Sequence, residues 1–310
     1  MTIGIATRGP WAGLAAYRAL LSAELLGRGE ISGFCVFVWR DRLGTLNHAT
    51  TQRGGTLGLR LPDGWAEAEQ AALISSGPDR AEPLTQFLPW DPAVGLVTGH
   101  RLPTSPLPDG QPVNLAALAA LGQKTLTQEG LANMLTQAPA MDAGLICMPW
   151  DGPVLAANSP RVASRGDTGS YILQDAGLAC AILHNSIYTA DFQGDAMAGA
   201  IGAIACETMG LAPAPLGMAT LPDRLPVIAS DHEAVELDMT GTAIALHSAD
   251  PAYFGPKSSI TAVYARTAIM RAGRQIGIAA TEAFADLGAG QLRARPGLAL
   301  RSFLYHRTQP

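Results

Sequence analysis

The chain opens on apolar patterns that predict its first elements. Thr2–Thr7 is a short β-rich run, turned by Arg8-Gly9-Pro10. Apolar side chains at Leu14, Tyr17, Leu21 and Leu25 recur near the helical period and predict a helix over Trp11–Leu26. Pro10 suits its first turn, and Gly27 and Gly29 end it. Ile31–Gly55 then reads as a strand, a turn and a second strand. Within it Phe34, Val36 and Val38 alternate with Cys35, Phe37 and Trp39. Apolar residues on both faces predict a strand buried on both sides. A shorter echo comes at Asp142–Ser159. Each stretch follows a helical pattern and carries an apolar run, a turn with an Asp, and an end rich in hydroxyl and amide groups. A helix–hairpin unit used twice is therefore expected.

The rest of the chain alternates similarly. Trp65–Ile74 has a short Ala-rich helical pattern, and Glu82–Val113 is Pro-rich and mostly irregular. Asn114 suits the cap of a helix from Leu115, and Thr127 the cap of another through Leu135. Leu178–Ile187 is β-rich, and Asp195–Met209 returns to helix. The Pro-rich linker Gly210–Pro226 divides an N-terminal lobe, 1–210, from a C-terminal lobe, 211–310, packed on it; one single domain over 1–310 is the alternative. Val227–Ser230 and Val235–Leu246 read as strands. Helix is expected from Gly255 to Arg274 and over Ile276–Leu287, and Gly297–Tyr305 closes as a strand. Hairpins outnumber crossovers, which predicts an α+β fold, a layered αββα-like sandwich with sheets covered by helices.

Composition narrows the class of function. Charged residues are 15% and hydrophobic ones 48% of 310 residues, so part of the surface is expected to be buried by self-association as a homo-oligomer. A net charge of −5 with no basic cluster argues against nucleic acid as a partner. No apolar run reaches a membrane span. The four cysteines sit inside apolar runs with no metal-knuckle spacing, so no metal is expected. Reduced thiols without a signal peptide point to the cytoplasm. No cofactor motif is present: no Walker loop, no nucleotide-binding G-x-G-x-x-G, no H-E-x-x-H, no G-x-S-x-G.

The candidate chemistry lies at strand ends. His48–Gly55, HATTQRGG, gathers a base, the hydroxyl of Thr51, the amide of Gln52 and the guanidinium of Arg53, whose fork suits an anion. The plain reading is a polar strand edge entering a Gly-Gly turn. His100 and Arg101 follow a short apolar strand and suit a carboxylate. His184-Asn185 and Asn158-Ser159 end two further strands. Because Arg8, Thr51, Arg53 and His100 each follow a β-rich run, they are expected to converge on one pocket. Gly255–Ser259, GPKSS, places Lys257, Ser258 and Ser259 at an expected helix start. A Ser–Lys amidohydrolase would use Lys257 with one of those serines. Thr2 opens the first strand, and a small second residue permits removal of Met1. A freed Thr2 would carry its own base in its α-amine.

TIGIATRGPWAGLAAYRAL, GRGEISGF, TTQRGG, SSGPDRAEP, DPAVGLVTGHRLP and ILHNS resemble, over most of the chain, a family of bacterial proteins with a domain of unknown function. ISGFCVFVWRDRLGTLNHATTQRGG and DAGLICMPWDGPVLAANS are similar in outline to the hairpin of isoaspartyl-peptidase-like N-terminal-nucleophile hydrolases. In those hydrolases a Thr precedes the strand. Here Ile31 or Asp142 stands in its place, so an internal autocleaving nucleophile is missing. The resemblance implies an αββα sandwich. The expected function is an amide or lactam hydrolase acting on a small molecule, with Thr2, Thr51 and Lys257 as candidate catalytic groups. Its expected binding groups are Arg8, His48, Gln52, Arg53, His100, Arg101, Asn158, His184 and Ser258. The alternative is a non-catalytic anion- or carboxylate-binding protein on the same scaffold.

Overall fold

The computed structural model describes residues 1–27, 31–77, 79–175, 177–256 and 258–308. Its contacts divide the chain into two units, Met1–Ala212 and Pro213–Pro310, and the division falls in the Pro-rich stretch. Helices and antiparallel strands share the first unit, so the fold is α+β.

In the first unit β1 (Thr2–Arg8) leads into α1 (Ala12–Leu26). A hairpin of β2 (Cys35–Arg40) and β3 (Leu46–Thr51) follows, then the single turn α2 (Gly55–Gly58), β4 (Gln70–Ser76), β5 (Trp90–Asp91) and β6 (Gly95–Arg101). α3 (Val113–Gly122) and α4 (Gln128–Thr136) precede a second hairpin, β7 (Ala143–Pro149) and β8 (Leu155–Asn158). α5 (Pro160–Ala163), β9 (Thr168–Asp175), β10 (Leu178–Asn185) and α6 (Gly194–Thr208) complete the unit. The strands form a six-stranded sheet, β3-β2-β4-β1-β10-β9, and a four-stranded sheet, β5-β6-β7-β8.

Alternation along each strand sorts the side chains into separate apolar cores, because successive residues of a strand face opposite sides. Ile3, Ile5, Phe37, Leu73 and Ile182 pack against Ala15, Ala19, Ile201 and Ala205 of α1 and α6. The other face of the same sheet, with Ala6, Val36, Val38, Ile74 and Leu183, meets Leu96, Ile146 and Met148 of the smaller sheet. The smaller sheet's far face, with Val97, Leu145, Cys147 and Leu155, is covered by Val113 and Ala117 of α3 and Leu131 and Leu135 of α4. Every residue from Phe34 to Trp39 is buried, as the double-sided apolar pattern predicts. Each large side chain there contributes roughly 1.5–3 kcal/mol of burial, so β2 is anchored from both faces. The two sheets approach closely at Gly4, where a Cβ would lie 2.5 Å from the Gly99 carbonyl oxygen. Among the described residues no helix is long and apolar enough to cross a membrane. All four cysteines are free and buried.

Three expectations fail locally. Trp65–Ile74 is not a helix: a 3-10 turn over Trp65–Glu67 gives way to β4, which lies between β1 and β2. Its alanines read as helical, but a central strand between two packed layers also favours small side chains. The Pro-rich span contains β5 and β6. Asn114 does not cap α3, which starts one residue earlier; its amide instead donates to the Gln86 carbonyl at 2.8 Å. Thr127 does cap α4, accepting from the Gly130 N–H at 3.0 Å. Gly29 lies outside the described residues.

Among the described residues the second unit carries one ten-stranded sheet. Its strands are β11 (Leu216–Thr220), β12 (Arg224–Ala229), β13 (Ala234–Leu237), β14 (Ala243–Ser248), β15 (Ser258–Val263), β16 (Ala268–Arg271), β17 (Arg274–Ala279), β18 (Ala283–Gly288), β19 (Gln291–Ala294) and β20 (Ser302–Arg307), with a turn of helix, α7 (Leu298–Arg301), before the last. The helices expected from Gly255 to Arg274 and over Ile276–Leu287 are strands β15 to β18. The cause is turn chemistry. Ala272-Gly273 and Ala289-Gly290 all have positive φ and join β16 to β17 and β18 to β19 as two-residue hairpin loops.

Candidate functional site

Strand parity builds a polar layer at one end of the space between the two sheets of the first unit. Thr2, Gly4 and Ala6 share the face of β1 that looks toward the smaller sheet. In register, Thr2 stands opposite Asn185 on one side and Ser76 on the other. On the facing sheet His100 stands opposite Gly144, which stands opposite Asn158. The apolar core between the sheets thus ends in Ser76, Thr2 and Asn185 over His100 and Asn158. All of these except Asn158 are buried.

His100 ties the two sheets together. Its Nδ1 lies 3.3 Å from Asn185 Oδ1 and its Nε2 lies 2.7 Å from Asn158 Oδ1. Burial pushes its pKa down to about 4 against the support of both amides, so the ring is neutral at pH 7. A neutral imidazole has one N–H. It donates to one Asn oxygen, and the other Asn must turn its NH₂ toward the second ring nitrogen. Gly144 makes room for this arrangement: a Cβ there would lie 2.3 Å from His100 Nε2 and 2.1 Å from Asn158 Oδ1.

Charged groups surround this layer. Asn185 Nδ2 donates to Ser186 Oγ at 2.9 Å, and Ser186 donates to Asp167 at 2.6 Å. Asp167 pairs with Arg165, and that guanidinium with the Ser186 hydroxyl holds its carboxyl down at about 2. Arg101 grips Asp142 with two hydrogen bonds of 2.9 and 2.6 Å and holds it below the usual carboxylate range. Arg80 donates to Ser76 Oγ at 2.9 Å, and Ser76 donates to the Met1 carbonyl at 2.6 Å. Arg101 and Ser186 directly follow His100 and Asn185, and both hold positive φ, 65° and 54°. Such strain in non-glycine residues concentrates where a structure holds side chains for use. The Met1 amine sits among these groups. Burial lowers its pKa, Arg101 and Arg80 lower it further, and Asp167 opposes them.

The expected site residues separate into those that join this layer and those that do not. Thr2, His100, Arg101 and Asn158 lie in it or on its rim. Arg8 is at the opposite end of β1, bonded to the Pro149 and Gly152 carbonyls, so the expected convergence of Arg8, Thr51, Arg53 and His100 does not occur. Thr51 stands on the row of Ile3 and faces the helices, its hydroxyl donating to the Arg53 carbonyl at 2.7 Å. Arg53 is exposed and paired with Asp79. His48 is exposed and lies 5.1 Å from the Trp90 ring. His184 is one residue out of phase with Asn185 and turns to the Gly194 carbonyl at 3.1 Å. Gln52 reaches the layer only through Arg80: its amide binds both the N–H and the carbonyl of Arg80, at 3.1 and 2.7 Å. Ser258 lies in β15 of the second unit, in a strand and not at a helix start, and Lys257 lies outside the described residues. Ser259 donates to Asp286 at 2.6 Å.

Sequence reasoning missed Ser76, Arg80, Asp142, Asp167 and Ser186, and chose His184 over Asn185. Parity from the apolar residues Leu183 and Ile74 would have selected Asn185 and Ser76. Nothing local marks Asp167 or Arg80. Among the described residues no three His, Cys, Asp or Glu side chains are grouped to hold a metal ion.

The first unit is thus an α+β body with a polar, charge-rimmed layer at the start of its first strand. Residues 2–218 match the model of a domain of unknown function (DUF6963), and the chain belongs to that family. Residues 224–299 match a second domain of unknown function (DUF7259). No curated protein matches the chain.

Proposed function

We propose that this protein is an amide- or lactam-bond hydrolase on an N-terminal-nucleophile-like αββα scaffold with a repeated helix–hairpin unit, and that Thr2, freed by removal of Met1, is its nucleophile. The observation that carries the reading is the place of Thr2. It begins a central strand, faces the space between the sheets, and lies at the end that holds the amides of Asn158 and Asn185, the Ser76 hydroxyl and the guanidinium groups of Arg80 and Arg101. The layered packing of helices on sheet on sheet on helices supports the scaffold.

The chemistry follows from the neighbours. The Thr2 Oγ attacks the substrate's amide carbonyl carbon, and its proton passes to the Thr2 α-amine. An amine at this spot is driven toward its neutral form by the burial and positive charge that already lower the Met1 amine. The tetrahedral oxyanion is met by N–H donors of Asn185, Asn158 or Arg80. Collapse breaks the C–N bond, the leaving amine takes the proton, and water hydrolyses the ester on Thr2. Arg80 and Arg101 suit a substrate carboxylate.

A second reading has its own observation. Thr2 is only 4% exposed and Met1 packs on the helix-side core, its carbonyl held by Ser76. With Met1 retained, the polar layer is a recognition site for a small anion and not a catalytic one. Intact mass of the purified protein decides between them. Under the hydrolase reading the mass is lower by one methionine, and a β-lactone probe adds to the wild type and not to Thr2→Ala. Met1 retained in full, with no Thr2-dependent labelling, would falsify the hydrolase.

A further inference from the structure

At the end of β1 away from Thr2, three guanidinium groups line one cleft, and among the described residues none of them is in an ion pair. Arg8, Gln70 and Arg40 occupy a single rung across β1, β4 and β2. Neighbouring strands stand roughly 4.8 Å apart, so the two arginines rise from strands about twice that distance apart, with Gln70 between them. Arg42 follows just beyond β2. Arg8, Arg40 and Arg42 line a cleft of about 520 Å³, and Arg40 and Arg42 also line an adjoining one of about 290 Å³.

Their partners are all neutral. Arg8 donates to the carbonyls of Pro149 and Gly152, and its Nε is buried with no partner. Arg40 donates to Gln70 Oε1 at 3.3 Å and to the Gly44 carbonyl at 3.4 Å, and lies 5.3 Å from the centre of the Trp150 ring. Gln70 is held in turn by the Trp150 carbonyl, 2.6 Å from its Nε2. Among the described residues none of the three arginines has an ion pair within 4.0 Å. Glu69 and Asp151 also line the cleft, and Asp41 lines the adjoining one; Glu69 and Asp151 are exposed, as Arg42 is. Asp151 offsets only part of the burial that lowers Arg8. The start of α1, just past Gly9 and Pro10 of the same cleft, adds to the positive field: it has no acidic residue in its first turn and no side-chain cap.

Like charges brought together and held by neutral acceptors are stabilised when an anion sits among them. We infer that this cleft is a phosphate-binding site, taking either free phosphate or the phosphate group of a small ester, with Arg8 at its base and Arg40 and Arg42 as its arms. Guanidinium groups approaching from separate strands suit a tetrahedral dianion better than a flat carboxylate, which one bidentate fork satisfies. The inference does not depend on the role of Thr2.

Calorimetric titration of the full chain at constant ionic strength tests it, with inorganic phosphate and glycerol phosphate as probes and acetate as the control. Saturable binding of one equivalent with a submillimolar Kd is expected, at least tenfold tighter than acetate. The tighter of the two phosphate probes identifies the source. Arg42→Gln, an exposed position, is expected to weaken binding at least fivefold with folding unchanged, and Arg40→Gln by more. Arg80→Gln, at the other end of β1, is expected to leave it unchanged. Absence of saturable binding for both phosphate probes overturns the inference. So does an unchanged Kd in Arg42→Gln and Arg40→Gln, or a loss that follows Arg80 instead.

Discussion

Thr2 and Ser76 stand opposite each other across the β1–β4 ladder, their hydroxyl oxygens 3.5 Å apart, and the same Ser76 hydroxyl donates to the Met1 carbonyl. Ser76 therefore holds the chain's first peptide group in place while Arg80 holds Ser76. Ser76→Ala removes its bonds to Thr2, Met1 and Arg80 and leaves a half-buried guanidinium without this partner. A loss of about 1–3 kcal/mol in urea unfolding is expected. A change below a few tenths would show that the Met1 contact carries no weight.

Removing Gln52 acts on the same group at one remove. Its amide fixes the Arg80 backbone at two points, so Gln52→Ala frees Arg80 without touching the polar layer. If the site binds a small carboxylate, that variant is expected to weaken it about tenfold while the fold keeps all but about 1–2 kcal/mol of its stability. Gln52→Glu keeps an acceptor for the Arg80 N–H and is expected to recover part of the binding. Equal binding in Gln52→Ala and wild type would show that the clamp has no role in recognition.

The approach of the sheets at Gly4 has no slack. A Cβ there lies 2.5 Å from the Gly99 carbonyl oxygen, and that contact is backbone, which cannot rotate away. Gly4→Ala is expected to destabilise the first unit by about 1–3 kcal/mol through overpacking. The far-ultraviolet circular dichroism should stay that of the wild type. An unchanged unfolding midpoint would show that the sheets part easily here.

How far the sequence carried depended on what each signal measures. Alternation in Phe34–Trp39 reported burial on both faces, because side-chain parity and layer are the same fact in a strand. It failed at Trp65–Ile74 and beyond Gly255, where Ala, Ser and Thr fit either element and only the turns decide. The polar layer was legible where a polar residue ended an apolar strand, as at His100 and Asn158. Arg8, Thr51 and His184 do not join that layer, because a strand end has two directions and two faces. Arg8 is at the wrong end of β1, and Thr51 and His184 are one step out of phase. Arg80 and Asp167 sit in connections, and only the folded register brings them to Thr2.

The buried His100 and the partly buried Glu24 respond to pH in opposite directions. His100 is lowered from 6.5 to about 4, chiefly by burial. The unfolded chain binds that proton first, so its contribution is full above about pH 6.5 and is lost as pH falls toward 4. One pKa unit is about 1.4 kcal/mol, so the span is roughly 3 kcal/mol. His184, also lowered by burial, acts with the same sign. Glu24 is the reverse: burial raises its carboxyl from 4.5 to about 7, against hydrogen bonds from Thr56. The folded chain holds this proton longer, so its contribution is full below about pH 4.5 and is lost as pH rises toward 7. The two slopes oppose each other between 4.5 and 6.5, and the wild-type urea midpoint is expected to change little there. Glu24→Gln, whose amide can still meet Thr56, should unmask a rise in stability from pH 4 to 6.5. His100→Gln should unmask a fall from pH 4.5 to 7, on a lower baseline. Asp142 and Asp167 do not interfere, because their lowered pKa values put their losses below about pH 4. Parallel profiles for wild type and both variants would mean that neither group has a shifted pKa in the folded chain.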